Sequence, residues 1–412
     1  MAFCCETPSP SRRALLVTGG ALVAWAHLRR AARAASGREP CLIVVILRGA
    51  LDGFAAAGPV GDPDYASLHG DIALSLTGEH AALPLDGFFA LNRAMPTFAR
   101  LYQEGQATLV HAIATSYRER SHFDGQDVLE SGYAGPGRTD SGWLNRAIGN
   151  LPGGDMVRGA RGLGVGAVAP LVMRGAAPVL GWAPQIVPTA SEDLAARVLD
   201  LYMHRDVALA AALRDGLETD KLATRDGLAG DITKARGGMD QPNGMRQAAM
   251  GVAKLMAAGD GPSVAALAFD GWDTHANEGG ATGQLATRLS GLDAAFEEFE
   301  RGLGLKWKDT AVVAITEFGR TAKINGTIGT DHGTGTIALL AGGAIKGGRV
   351  IADWPGLKPG QLYQGRNLKP TTDLRAVLKG LLSDQFGLTE AVLAESVFPD
   401  SASVKPMPNL IV

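Results

Sequence analysis

Several stretches of this chain set acidic, imidazole or hydroxyl side chains just beyond short apolar runs. Asp52 follows the run Cys41–Leu47, Ser121 follows 107–112, Asp273 and His275 follow Val264–Phe269, and Glu317 follows 311–315. Asp331 and His332 come next, between Gly329 and Gly333, ahead of a further apolar run at 337–340. Mixed carboxylate and imidazole ligands suit zinc or manganese, whereas all-oxygen sets suit calcium or magnesium. A hydroxyl set between two such ions is an activated nucleophile, and Arg320, three residues beyond Glu317, has the chemistry to hold an anionic substrate by paired hydrogen bonds. Each of these residues also has a plain structural use. A carboxylate or serine after a strand caps the next helix, and an aspartate beside glycine makes a turn. Residue types alone leave both open.

What brings such groups together is the arrangement of the apolar runs. Cys41–Leu47 and 311–315 are continuous and rich in β-branched residues, the pattern of strands buried on both faces of a parallel sheet. A parallel sheet gathers its strand ends along one edge, so residues far apart in sequence converge there. Helical patterns lie between the runs: 91–104, a helix begun at Ser121, and one carrying Leu285, Leu289, Leu292, Phe296, Phe299 and Leu303 at alternating spacings of four and three. Thr372 is placed to cap a last helix. Residues 54–90 show little periodicity, and about 191–258 read as a helical insertion.

The first 34 residues have the form of a twin-arginine export signal. Arg12 and Arg13 precede a moderately apolar segment, and Ala32-Arg33-Ala34 is a small-residue cleavage site. The segment contains Gly19 and Gly20 and is too short to span a membrane. Its removal takes away five arginines and one glutamate, moving the net charge from −3 to −7. A balance of that sign argues against a nucleic-acid partner, and no later stretch reaches membrane-spanning length. Cys41 is then the sole remaining cysteine, so no intramolecular disulfide forms. The expected location is the periplasm or the extracellular space, with the twin-arginine translocase as the partner during export.

Several chemistries fail for want of their motifs. There is no G-x-S-x-G elbow, no H-E-x-x-H, no C-x-x-C pair and no P-loop. What is present is Leu47-Arg48-Gly49 with Asp52-Gly53, Arg120-Ser121-His122-Phe123-Asp124, Asp273-Thr274-His275, Thr316-Glu317-Phe318-Gly319-Arg320-Thr321, Asp331-His332 and Ala341-Gly342-Gly343. Together with the leader, this set resembles the exported domain-of-unknown-function family 1501 over about residues 40–400. That family is similar to the alkaline phosphatase and sulfatase superfamily. The resemblance implies an α/β fold, an alkaline-phosphatase-like three-layer sandwich whose mostly parallel central sheet is flanked by helices, with a metal site at the strand ends.

Carried over by position, Asp52 resembles the first-strand ligand and Ser121 the nucleophile. Asp273 and His275 resemble the ligand pair of the middle strand, Glu317 a carboxylate ligand, and His332 the late histidine. The superfamily shows Asp-His where this chain has Glu317-Phe318, which removes one imidazole unless Asp331 or His122 replaces it. Ser121 also lacks the Cys/Ser-x-Pro-x-Arg context of formylglycine sulfatases. The expectation is an exported metal-dependent hydrolase of phosphate or related anionic esters, small or polymeric. It would use one or two divalent ions, zinc or manganese, with Ser121 attacking and Arg320 holding the anion. The other expectation is a non-catalytic exported protein that keeps the fold for binding or surface assembly.

Overall fold

The computed structural model describes residues 38–412 apart from 139, 152–160, 167, 185–191, 225–238 and 240; the expected export signal lies outside the described residues. Residues 40–412 form one compact unit. Its centre is a sheet of β1 (Cys41–Leu47), β2 (Ala107–Ala114), β3 (Gly162–Val165), β4 (Val179–Trp182), β5 (Val264–Phe269), β6 (Thr310–Ile315), β7 (Thr336–Ala341), β8 (Arg349–Ile351) and the short β9 (Thr372–Asp373). The order across the sheet is β8-β2-β7-β6-β1-β5-β3-β4, and β9 also pairs with β2. Pairing is parallel throughout, except that β7 runs antiparallel to both β6 and β2.

The alternation of side chains along β1 divides it between two cores. Ile43, Val45 and Leu47 face one side, against α1 (Pro96–Gln103), α6 (Pro242–Ala257) and α7 (Gln284–Leu303). Leu42, Val44 and Ile46 face the other, against α2 (His122–Ser131), α3 (Trp143–Asn150) and α8 (Leu374–Phe386). The six apolar residues expected on one face of α7 are all buried in the first of these cores. The result is a mixed, mostly parallel α/β sandwich of three layers. Two further helices, α4 (Glu192–Arg205) and α5 (Val207–Thr224), lie in the stretch read as an insertion. Its last part, α6, is instead a layer helix, with Met245, Ala248, Ala249, Val252 and Met256 fully buried. Among the described residues no helix is long and apolar enough to cross a membrane.

The antiparallel β7 decides where the site forms. A parallel return needs a crossover, usually a helix; the connection 316–335 holds none, so the chain doubles back beside β6. That loop, with Glu317, Arg320, Asp331 and His332, stays at the carboxyl edge of β6, alongside the carboxyl ends of β1 and β5.

The loops after β1 and β5 are laced together by Arg48 N to Phe269 O and Trp272 N to Arg48 O, at 2.9 and 3.1 Å. Gly49 makes this possible. Its φ is +119°, and a Cβ there would sit 2.6 Å from the backbone nitrogen of Asp273. Gly49→Ala is therefore expected to destabilise the protein by about 1–3 kcal/mol, the range for a strained backbone. A lowered urea midpoint would show it, and an unchanged midpoint would mean that the two loops are not locked in this way.

Candidate metal centre

Asp273 reaches the site because Trp272 anchors the loop after β5. The indole is fully buried and donates from Nε1 to Phe269 O at 3.0 Å. Behind Asp273 sits Arg320, with no exposed surface. Its Nε donates to Ala50 O at 2.7 Å, Nη1 to Thr330 O at 3.1 Å, and Nη2 to Gly49 O at 2.8 Å, Trp272 O at 3.1 Å and Asp273 Oδ1 at 2.5 Å. One guanidinium thus ties the loops after β1, β5 and β6 to each other. Burial pushes the Asp273 carboxyl up, but the charge and hydrogen bond of Arg320 outweigh it and hold the group below the usual carboxylate range.

Around Asp273 stand three imidazoles, each anchored through Nδ1 and presenting Nε2. His122 opens α2, and its Nδ1 lies 2.8 Å from Glu317 Oε1. Glu317 is fully buried and also accepts from Gly49 N at 2.9 Å, Gln126 Nε2 at 3.2 Å and Thr316 Oγ1 at 2.8 Å. Those bonds keep its pKa low despite a burial that would raise it. His332 donates from Nδ1 to Arg120 O at 2.9 Å; Arg120 has φ +62°, a left-handed conformation uncommon for a residue other than glycine. His275 has Nδ1 3.5 Å from Asp331 Oδ1, and Asp331 is held in turn by Asn325 Nδ2 at 3.1 Å.

The Nε2 atoms converge. His332 Nε2 is 2.9 Å from that of His122 and 3.0 Å from that of His275. Asp273 Oδ1 lies 3.0 Å from His275 Nε2 and 3.4 Å from His332 Nε2, and Oδ2 lies 3.4 Å from His122 Nε2. Donor atoms of His122, Asp273 and His332 all fall within 4.8 Å of one another, a spacing that could hold a metal ion. Two nitrogens bound at about 2.0–2.1 Å to one tetrahedral ion are roughly 3.3 Å apart, close to the separations here. The donor set fits such an ion. A neutral imidazole whose Nδ1 faces a carbonyl must donate there, so His332 offers a bare lone pair at Nε2. That lone pair faces another ring nitrogen, which only a proton or a cation can reconcile. The bond to Glu317 raises the pKa of His122, against its burial, while burial and then the charge on His122 lower that of His332. Carboxylate or carbonyl partners on the outer nitrogen are the usual way of fixing a metal-binding imidazole.

Of the residues expected from sequence, the structure brings Asp273, His275 and His332 together. Glu317 and Asp331 touch the cluster through the outer nitrogens of His122 and His275. Asp52 is spent elsewhere. Its Oδ1 caps the short helix Gly53–Ala56, accepting from Phe54 N at 2.8 Å and Ala55 N at 3.3 Å, and its Oδ2 lies 3.2 Å from His69 Nε2. Arg320 does not offer a free fork to a substrate, because backbone carbonyls and Asp273 occupy its donors. Ser121 stands at the N-cap of α2, half-buried, and its hydroxyl makes no capping bond. His122, which the sequence offered with Asp331 as a replacement for the imidazole missing at Phe318, lies in the cluster, and Phe318 packs on it with ring centroids 4.9 Å apart. The signal for His122 was its position at the head of a helix beyond a strand, the same signal that singled out Ser121.

Comparison with known proteins agrees with a shared family and adds distant fold likenesses. No curated protein is similar in sequence. Among solved structures, Ps i-CgsB in complex with k-i-k-neocarrahexaose is 10% identical, with 90% of this chain and 75% of that one covered at a TM-score of 0.43. The phosphonate monoester hydrolase of Agrobacterium radiobacter is 11% identical, with 85% and 74% covered at a TM-score of 0.36. Residues 42–397 match the family described as Protein of unknown function (DUF1501), and the chain belongs to that family.

Proposed function

We propose that this protein is an exported metal-dependent hydrolase of phosphate or related anionic esters, delivered by the twin-arginine translocase to the periplasm or beyond. The observation that carries the reading is the convergence of three imidazole Nε2 atoms on the Asp273 carboxylate, each ring anchored through its other nitrogen. His122, His332 and Asp273 would hold a divalent ion, with His275 beside it at 3.0 Å from both His332 Nε2 and Asp273 Oδ1, and nitrogens mixed with oxygen favour zinc or manganese over calcium or magnesium. Such an ion would supply charge stabilisation for the oxygens of an ester displacement.

The chain's own residues do the rest. Ser121 supplies the hydroxyl at the amino end of the ten-residue α2, where the helix favours developing negative charge. The anion-holding role passes from Arg320 to Arg366. Arg366 is exposed and donates from Nη2 to His332 O at 3.3 Å, which places a cation at the rim of the cluster. Arg320 instead positions Asp273.

The test is metal analysis of the folded protein followed by a panel of phosphate, phosphonate and sulfate esters. Ser121→Ala is expected to keep its metal and to lose turnover by roughly 10³-fold or more, as removal of a nucleophile does. Full turnover in that variant would rule out Ser121, and a metal-free protein that hydrolyses no ester would leave the binding or surface-assembly alternative.

A further inference from the structure

A second buried polar group lies one residue removed from Arg320. Glu278 is fully buried, and its Oε2 accepts from Thr330 Oγ1 at 2.7 Å. The carbonyl of the same Thr330 accepts Arg320 Nη1, and Arg320 holds Asp273. The other oxygen, Oε1, is buried without a hydrogen-bond donor, and so is Asp52 Oδ2. These two buried oxygens without a donor belong to carboxyl groups close enough to shift each other's protonation. Two acceptor oxygens can meet in that way only with a proton between them. Asp52 has its other oxygen filled by two backbone N–H groups and has His69 Nε2 at 3.2 Å, so it is the better place for the charge.

We propose that Glu278 is a positioning residue of the histidine cluster: an uncharged acid that donates to Asp52, accepts from Thr330, and thereby fixes the carbonyl that seats Arg320 behind Asp273. The proposal rests on the cluster being a cation site. The charged and titratable groups facing Glu278 are Asp52 and Arg320, and those around Asp52 are His69, Tyr65 and His111. Burial, then the charge of Asp52, pushes Glu278 up to about 9, while His69 and the amide donors outweigh burial and hold Asp52 low. A group raised from 4.5 in the unfolded chain to about 9 in the folded one favours folding fully below pH 4.5, and that contribution is lost progressively as pH rises to 9.

Glutamine mimics the neutral acid, since its amide can donate to Asp52 and its oxygen accept from Thr330. The experiment compares the mature wild type with Glu278→Gln and Glu278→Ala, using chelator-buffered zinc at pH 7.5 and 9.5 and metal-free unfolding in urea at pH 5 and 8. Glu278→Gln is expected to bind zinc as the wild type does at pH 7.5. Glu278→Ala should bind about 10–100-fold more weakly, the usual loss when support behind a ligand is removed. At pH 9.5 the wild type should weaken relative to the glutamine variant. In metal-free unfolding the glutamine variant should exceed the wild type at pH 8, by more than at pH 5. The proposal is overturned if the glutamine variant binds as weakly as the alanine one, if both bind like the wild type, or if the glutamine variant is the less stable at pH 8. Should the wild type bind no zinc, the cation reading of the cluster falls by itself, and the unfolding comparison still decides the state of Glu278.

Discussion

His332→Ala is expected to remove the cation and to lower the melting temperature of the metal-loaded protein in one step. His332 is the hinge of the cluster, because its Nε2 lies within 3.4 Å of His122 Nε2, His275 Nε2 and Asp273 Oδ1 at once. Without it the remaining imidazoles have lost their common neighbour. Metal that binds only the folded state stabilises it by mass action, about 4 kcal/mol at a thousandfold excess over Kd. Loss of the ligand forfeits that amount beyond any local packing effect. The separation is simple: in excess chelator, the gap in melting temperature between variant and wild type should shrink to the packing term. Unchanged metal content in the variant would remove His332 from the ligand set.

Arg320→Met is expected to be the most damaging substitution for the fold. The side chain has no exposed surface and donates to four backbone carbonyls and one carboxylate. Methionine fills much of the volume and none of that hydrogen bonding, leaving the carbonyls of Gly49, Ala50, Trp272 and Thr330 without this donor. Leaving a buried acceptor without its donor costs about 1–3 kcal/mol, and four carbonyls lose theirs at once, so a loss of several kcal/mol is expected. Arg320→Lys should recover only a fraction, since an ammonium cannot reproduce the planar fork. The measurement is the urea midpoint of the metal-free proteins. A methionine variant with the wild-type midpoint and only a raised KM for anionic esters would return Arg320 to the substrate-binding role that its sequence position suggests.

The contrast between Arg320 and its neighbours shows what the sequence could reveal. Strands β1, β5 and β6 were readable because continuous apolar runs have few other uses. Asp273, His275 and His332 were readable because strand ends of a parallel sheet share an edge. Nothing in Thr-Glu-Phe-Gly-Arg-Thr announces that the arginine is buried. Its burial depends on carbonyls contributed by residues 49, 50, 272 and 330, whose meeting is a tertiary event. Asp52 shows the reverse. The turn or cap use of an aspartate before glycine describes it better than the ligand role implied by family resemblance, and its neighbour His69 comes from the aperiodic stretch 54–90. Glu278 lies three residues past His275 in a segment without pattern, so its burial could not be anticipated. The cap of α8 is Asp373, accepting from Arg375 N, one residue beyond the threonine expected there.

The most direct measurement is anomalous diffraction at the zinc absorption edge from crystals of the zinc-loaded protein. One strong peak within bonding distance of Nε2 of His122 and His332 and of the Asp273 carboxylate, with His275 alongside, is the predicted result. A peak bound by other residues, or none at full zinc loading, would contradict a cation centre at these strand ends.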